Sequence, residues 1–210
     1  MSILDIGCGT GINYPQLSQF GTVDNIDCDD KAIQYFSIKN PNIPIFKGSL
    51  PNQLPEAIQQ KKYDLIVMLD ILEHIQDDIG GLITLHSLLS DSGKMLITVP
   101  ACQFLYGKFD SLNHHYRRYS KSSLEETIRK AGFSVSYLSY FNFFLFPLAA
   151  LVRLKEKYSA HYSFEKSNAV PCSLVNLLCR WVFGMERYFL PRFSFPIGLS
   201  LIAVITPTKN

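Results

Sequence analysis

The stretch ILDIGCGTG, residues 3–11, constrains the fold more than any other part of the chain. A short apolar run, Ile3–Ile6, ends in a turn that contains Gly7, Gly9 and Gly11, and a helical pattern follows near residues 12–20. Glycine lets a turn tighten and lets a ligand approach the backbone where a side chain would collide. The order of strand, glycine turn and helix therefore predicts the first unit of a ligand-binding α/β sheet.

Strand-like and helix-like segments then alternate through the first 140 residues. Unbroken apolar strands that alternate with helices are typical of a mostly parallel sheet with helices on both faces. The expected fold is a Rossmann-like sheet of seven strands, with a helical insertion before the last one. The predicted strands are 3–6, 23–26, 43–46, 64–69, 94–99, 134–140 and 199–206, and the predicted helices are 12–20, 29–38, 53–60, 79–90 and 121–131.

Net charge also differs between the first 140 residues and the rest of the chain. Residues 1–140 contain 12 Lys/Arg and 15 Asp/Glu, a net charge of −3, whereas residues 141–210 contain 8 and 3, a net charge of +5. The almost 60 residues between the last two predicted strands are too many for a plain loop. We therefore predict a core over 1–140, a helical, apolar and basic insertion over 141–195, and the last strand with the tail over 196–210.

An acidic residue follows the second predicted strand. Asp27 lies sixteen residues after Gly11, where a carboxylate can accept hydrogen bonds from both ribose hydroxyls of a nucleoside. Nicotinamide enzymes favour G-x-G-x-x-G, but this chain has G-x-G-x-G with Asp5 two residues before the first glycine. The spacing therefore disfavours a nicotinamide oxidoreductase.

The pattern D-x-G-x-G-x-G resembles motif I of the class I S-adenosylmethionine-dependent methyltransferases. Four further stretches resemble the same family in the correct order: NIDCDDKAI (25–33), KGSL (47–50), YDLIVMLDILEHIQD (63–77) and GKMLITVP (93–100). The resemblance implies S-adenosylmethionine as cofactor, with Ser49 standing where the family often has Asp. The cofactor-binding residues it implies are Asp5, Gly7, Cys8, Gly9, Gly11, Asp27, Cys28, Gly48, Ser49, Leu50, Leu69 and Asp70.

The start of the chain departs from this family, whose members normally carry a helix before motif I. Met1 lies two residues before the first strand, so this sequence lacks that helix. Either the start is truncated or another segment covers the cofactor, and weak cofactor binding is one expectation. A non-catalytic, methyltransferase-like binding protein stays open as an alternative. Glu73 and His74 favour a structural or cofactor-edge role over catalysis, and the EHIQD stretch lacks the HExxH spacing of a zinc site.

The stretch DSLNHHYRRYS, residues 110–120, follows the fifth strand. It resembles a subset of these enzymes with a D-x-x-x-G-H-Y-R-R-Y-type stretch there, except that His114 stands where the subset usually has Gly. An imidazole can take a proton near neutral pH, so we predict His115 as a catalytic base oriented by Asp110. We predict substrate binding by His114, Tyr116, Arg117, Arg118 and Tyr119, with the arginines on a carboxylate or phosphate. The alternative is that the last three only fix the loop; adjacent histidines without further ligands nearby predict no metal.

The insertion is apolar, aromatic and basic. Residues 174–189 place apolar side chains along one helical stripe, with Arg180 and Arg187 off it. The stripe either packs on the sheet as core or forms an interfacial surface for a membrane, through residues 141–190, or for a lipid-linked substrate. The longest apolar run, Phe143–Val152, has ten residues and is too short to span a bilayer.

Composition narrows the class of protein. Hydrophobic residues make up 47% and charged residues 18%, which argues against disorder, and the net charge of +2 argues against nucleic acid as a partner. Five scattered cysteines predict reduced thiols in a cytoplasmic protein, peripheral to the inner face of a membrane if the insertion binds lipid. The expected activity is in-line methyl transfer to a small or amphipathic, lipid-like acceptor.

Overall fold

Seven strands form one sheet in the order β3-β2-β1-β4-β5-β7-β6. The computed structural model describes residues 1–158, 172–190 and 192–208. The pairs β1–β2, β1–β4, β2–β3 and β4–β5 are parallel, and the sheet is mostly parallel with some antiparallel strands, which confirms the predicted fold class. The strands are β1 Ser2–Ile6, β2 Thr22–Asp27, β3 Ile45–Lys47, β4 Tyr63–Leu69, β5 Leu89–Pro100, β6 Phe133–Phe141 and β7 Ser200–Pro207.

Helices occupy most of the connections between these strands. Within the described part of the chain, single 3₁₀ turns lie at Leu72–His74, Gln103–Leu105 and Glu186–Tyr188. The α-helices of the described residues are α1 Tyr14–Leu17, α2 Asp30–Lys39, α3 Glu56–Gln59, α4 Asp78–His86, α5 Lys108–Leu112, α6 Lys121–Lys130, α7 Phe146–Tyr158 and α8 Ser173–Met185.

Several predicted boundaries are wrong. The helices predicted over 12–20 and 53–60 are shorter, Tyr14–Leu17 and Glu56–Gln59. The helix predicted over 79–90 ends at His86, and β5 begins at Leu89, because the polar residues after Leu89 continue as strand beyond a register shift opposite Tyr63 and Leu65. The third strand begins at Ile45 instead of residue 43. Pro44, which has no N–H to donate to a ladder, contributes only its carbonyl, to the side chain of Asn25.

A serine side chain caps the start of α6. The Ser120 side chain accepts a hydrogen bond from the backbone N–H of Ser123 at 3.1 Å, and Gly132 follows the helix at φ +84°. This cap fixes the point at which the chain enters α6 after the 110–120 stretch.

The chain forms two compact units. Unit 1 comprises Met1–Thr98, Glu125–Tyr137 and the residues from Ala203 onward, and unit 2 comprises Val99–Leu124 and Leu138–Ile202. The strands β5, β6 and β7 have residues in both. The predicted division at 140 and 195 stays a prediction, and its residues 159–171, 191 and 209–210 lie outside the described part of the chain.

The core of unit 1 lies around β1 and β4. Successive residues of each strand are buried, as at Ile3 and Leu4 and at Ile66 and Val67, so both faces of these central strands are covered. The order of the strands reverses between β1 and β4, and ligands bind at such a switch point beside the carboxyl ends of the strands. Among the described residues, no helix is both long and apolar enough to cross a membrane.

Candidate active site

The three glycines after β1 have different neighbours although all have positive φ values, +70°, +56° and +78° for Gly7, Gly9 and Gly11. A Cβ on Gly7 would collide with the side chain of Ile71, and one on Gly11 would lie 2.6 Å from the ring of Phe36. A Cβ on Gly9 would meet nothing within 4 Å. Gly7 and Gly11 therefore permit close packing, and Gly9 leaves open space beside the backbone.

Asp27 ends β2 and holds the glycine turn. Its Oδ2 accepts the N–H of Gly9 at 2.7 Å, and its Oδ1 accepts the N–H of Asp29 at 2.9 Å. The backbone N–H groups of Gly7 and Cys8 in turn donate to the carbonyl of Ile26, at 2.8 and 3.0 Å. The turn after β1 and the end of β2 are thus joined through backbone amides.

Asp5 is a buried carboxyl group in the middle of unit 1. It is 1% exposed, and within the described part of the chain its Oδ2 has no hydrogen-bond partner. Burial, and to a smaller extent the charge of Asp27, raises the pKa of Asp5 to about 7. Burial likewise raises the pKa of the Cys8 thiol, with a smaller effect from Asp5. Cys8 is therefore a neutral side chain at physiological pH.

A cavity of about 300 Å³ opens at the carboxyl ends of β1 to β4. Six predicted cofactor residues line it, while Asp5, Cys8, Gly9, Gly11, Leu69 and Asp70 do not. Asp70 is exposed at φ +54°, where its N–H donates to the carbonyl of Thr98. The residues that line the cavity are Ile6, Gly7, Ile26, Asp27, Cys28, Gly48, Ser49, Leu50, Leu54, Ile71, His74 and Ile75.

The sequence patterns missed most of the apolar wall of this cavity. Ile6 and Ile26 are the last residues of predicted strands, and Ile71 and Ile75 flank the LEH stretch after the fourth predicted strand. Leu54 lies after β3 and has no distinguishing pattern of its own. Apolar residues at strand ends are the signal that could have identified the first four.

In unit 2, a second group of polar side chains surrounds Asp110, which is 1% exposed. Its Oδ1 accepts the Nε–H of Arg118 at 2.8 Å and lies 3.0 Å from Nδ1 of His115, while its Oδ2 accepts the N–H of Gly107 at 3.0 Å. Burial alone would raise the pKa of Asp110, but the hydrogen bond with His115 and the charge of Arg118 hold it below its ordinary value. Asp110 is therefore an anion that orients two neighbouring side chains.

The other residues predicted for this group differ in burial. Arg118 is 8% exposed and also donates to the carbonyl of Ala101, and Tyr119 is 2% exposed with its backbone bonded to Pro100 and Cys102. His114 and Tyr116 are exposed and Arg117 is half-buried. His114 has φ +60°, a conformation that glycine adopts readily, at the position where the similar enzymes usually have Gly.

A comparison with protein families identifies the family of this chain. A family model described as a methyltransferase domain matches residues 1–138. The chain belongs to this family. The match includes the glycine turn, the end of β2 and the 110–120 stretch, all of which lie within residues 1–138.

Other proteins of known sequence or structure resemble this methyltransferase domain. A probable S-adenosylmethionine-dependent methyltransferase of Mycolicibacterium smegmatis is 26% identical over 137 residues, which cover 63% of this chain and 52% of that protein. A ubiquinone biosynthesis O-methyltransferase of Nitrosospira multiformis is 25% identical over 150 residues, covering 63% and 62%. The chain thus spans between half and two thirds of these relatives' lengths. A methyltransferase structure from Mesorhizobium loti has a TM-score of 0.63 and 15% identity, over 97% of this chain and 89% of that one.

The cofactor of this methyltransferase family is S-adenosylmethionine. The residues of unit 1 fit its chemistry, because the molecule combines a planar base that packs through its faces, a ribose and a cationic sulfonium. Ile26, Leu50 and Ile75 offer apolar walls, Asp27 offers a hydrogen-bond acceptor, and the lining contains no lysine or arginine. The unpartnered Oδ2 of Asp5 adds a buried polar atom beneath the same turn.

Proposed function

We propose that this chain is an S-adenosylmethionine-dependent methyltransferase that transfers a methyl group in line to a hydroxyl of a small or amphipathic acceptor. The observation that carries the proposal is the 300 Å³ cavity bounded by the glycine turn, Asp27 and the ends of β3 and β4. Its volume lies at the lower end of the range for small-molecule sites and suits the nucleoside part of the cofactor.

Binding of the cofactor is assigned to unit 1. Asp27 accepts hydrogen bonds from the ribose hydroxyls, Ile26 and Leu50 contact the base, and Gly9 allows the cofactor to approach the backbone. The cofactor supplies an already activated methyl group on a sulfonium. The chain therefore has mainly to orient the acceptor and to take its proton.

Proton removal is assigned to His115. Because Asp110 is ionised and can only accept, Nδ1 of His115 carries the hydrogen of their contact, and we assign Nε2 as the atom that takes the proton of the acceptor. Arg118 holds the same Asp110 oxygen from the buried side. We assign Arg118 and Tyr119 to positioning of this loop, and Arg117 and Tyr116 to contact with the acceptor.

A hydroxyl acceptor is supported by two observations. An imidazole base is useful only when the acceptor atom carries a proton that must leave. The relative from Nitrosospira multiformis is named as a ubiquinone biosynthesis O-methyltransferase, so the acceptor atom in that protein is an oxygen. We extend the oxygen acceptor to this chain, and the apolar and basic residues of 141–190 support an amphipathic acceptor reached at a membrane surface.

The experiment that tests this function is calorimetric titration with S-adenosylmethionine. Asp27→Asn should weaken binding by about tenfold to a hundredfold, because the ribose loses a charged acceptor worth about 1–3 kcal/mol. Asp24→Asn, three residues earlier on the same strand and outside the cavity lining, serves as the matched control and should bind normally. Transfer of an isotopically labelled methyl group to a cell extract then identifies the acceptor. Tighter binding of NAD than of S-adenosylmethionine, or equal affinity in the Asp27 variant, would contradict the proposal.

A further inference from the structure

The outward face of α8 carries a row of large apolar side chains. Leu174, Leu177, Leu178 and Trp181 are 76%, 62%, 61% and 68% exposed. Their spacing of three and four residues places them on one side of the helix. Asn176 and Cys179 on the opposite side are half-buried. We call these four side chains the α8 apolar row.

Exposed charges beside the α8 apolar row are positive. Arg180 and Arg187 line a shallow depression together with Trp181 and Tyr188. The acidic residue of this segment, Glu186, is 1% exposed, and its carboxylate accepts the backbone N–H groups of Asn142 and Phe144. The segment therefore presents two arginines to solvent and directs its carboxylate inward.

We propose that the α8 apolar row docks on an anionic phospholipid surface, with Trp181 and the leucines at the boundary of headgroups and acyl chains and with Arg180 and Arg187 on lipid phosphates. Helices that lie in a membrane interface combine leucine and tryptophan on one face with arginine or lysine beside it. The helix has 13 residues. A length of about 20 Å, against a hydrocarbon core of about 30 Å, makes it lie on the bilayer and not cross it.

The charges favour a lipid surface over a second copy of the chain. A two-fold interface uses the same patch on both subunits, so it would bring two basic surfaces together. Anionic lipids attract such residues instead, and each arginine near the surface strengthens binding by about fivefold. The hydrogen bonds of Glu186 also hold the C-terminal end of α8 against the residues that follow β6. The α8 apolar row therefore has a fixed position relative to these residues.

This inference rests on the proposed function in one respect: docking would bring the domain to an amphipathic acceptor. The docking itself has a direct reporter, because Trp181 is the single tryptophan of the chain. Vesicles of phosphatidylglycerol should shift its fluorescence to shorter wavelength, and brominated lipid should quench it. Pure phosphatidylcholine vesicles should bind at least tenfold more weakly.

Variants separate the two kinds of contact. Leu177→Asp should reduce vesicle binding at least tenfold, and Arg180→Gln and Arg187→Gln about fivefold each. Ile38→Asp on α2 is the matched control, because Ile38 is 74% exposed but lies on another helix, and it should bind vesicles normally. All four variants should keep their affinity for S-adenosylmethionine, which shows that unit 1 stays folded, and the variants at Leu177, Arg180 and Arg187 should keep the unfolding midpoint of the parent.

Three results would overturn the docking. The first is that Trp181, before lipid is added, already emits at the wavelength of a buried tryptophan. The second is equal binding to neutral and anionic vesicles. The third is a loss of vesicle binding in the Ile38 control that equals the loss in the variants at Leu177, Arg180 and Arg187. The first result would mean that protein covers the row, either a second copy, which a sedimentation experiment would detect, or another part of the chain. Failure of S-adenosylmethionine binding with vesicle binding intact would count against the proposed function alone.

Discussion

The Nδ1 atom of His115 lies 3.0 Å from the same Asp110 oxygen that accepts the Nε–H of Arg118 at 2.8 Å. One carboxylate oxygen therefore orients a titratable ring and a permanent cation at once. Asp110 is 1% exposed, so these contacts are made away from bulk water and gain strength from the low local dielectric. The arrangement suggests different roles for residues that are neighbours in the chain.

Replacement of His115 should remove the base. His115→Ala should reduce turnover about 10²-fold to 10⁴-fold with a hydroxyl acceptor, and far less with an acceptor that is already an anion. His114→Gly is the control, because φ is +60° there and glycine adopts that conformation without strain. Steady-state kinetics of both variants give the comparison. Equal losses in the two variants would mean that His115 acts through the shape of the loop.

Substitution of Arg118 should affect mainly the stability of the protein, and substitution of Arg117 should affect mainly the binding of the substrate. Arg118→Met leaves the buried Asp110 without its cation and should lower the free energy of unfolding by about 3 kcal/mol. Arg117→Met should change stability by less than about 0.5 kcal/mol and should mainly raise KM. Urea unfolding and steady-state kinetics measure the two effects. Similar unfolding midpoints for both variants would show that the buried pair does not stabilise unit 2.

Asp5 should make stability depend on pH. Because its folded-state pKa of about 7 lies above the ordinary 3.8, the folded chain keeps a proton that the unfolded chain releases. This contribution is fully present below about pH 4 and is lost as the pH rises through 7. Asp5→Asn stays neutral, so its stability relative to the parent should rise by a few kcal/mol over that range and then level off. Parallel pH curves of the unfolding midpoint would refute this assignment.

Alanine at two of the glycines should have different effects. Gly7→Ala combines a positive φ with a collision against Ile71 and should destabilise unit 1 by more than the roughly 1–2 kcal/mol of backbone strain alone. Gly9→Ala has the same kind of strain but meets no protein atom within 4 Å. It should keep more stability than Gly7→Ala and lose at least tenfold in affinity for S-adenosylmethionine. Thermal unfolding and calorimetry distinguish the two; unchanged affinity at Gly9 would mean that the cofactor does not occupy that space.

Local patterns predicted the fold well because most of its strands are marked by continuous apolar runs and its turns by glycine. The order of motifs from Asp5 to Pro100 was enough to predict the sheet and the family. The beginning of β5 was missed because its polar residues carry no strand pattern, and pairing with β4 overrides their local preference.

Site residues were harder to predict because neighbouring letters in a sequence do not reveal tertiary contacts. Arg117 and Arg118 are identical in type, yet one is half-buried beside Tyr116 and the other is buried on Asp110. The same limit applies to α8, where the helical period predicted an apolar stripe but could not say that Leu177 and Trp181 face solvent. Whether a side chain is buried depends on which elements pack together in the fold, and the hydrophobic period of one helix does not contain that information.

Asp27 ends β2 with each of its carboxylate oxygens already held by a backbone amide, from Gly9 and from Asp29. A side chain fixed in this way has lost its rotational freedom during folding. A hydroxyl donor that reaches it therefore need not bear the ordering cost of about 0.5–1.5 kcal/mol that a mobile side chain would add. The turn that follows the strand therefore also fixes the carboxylate in its binding orientation. A substitution that alters this turn should change the affinity for the hydroxyl donor.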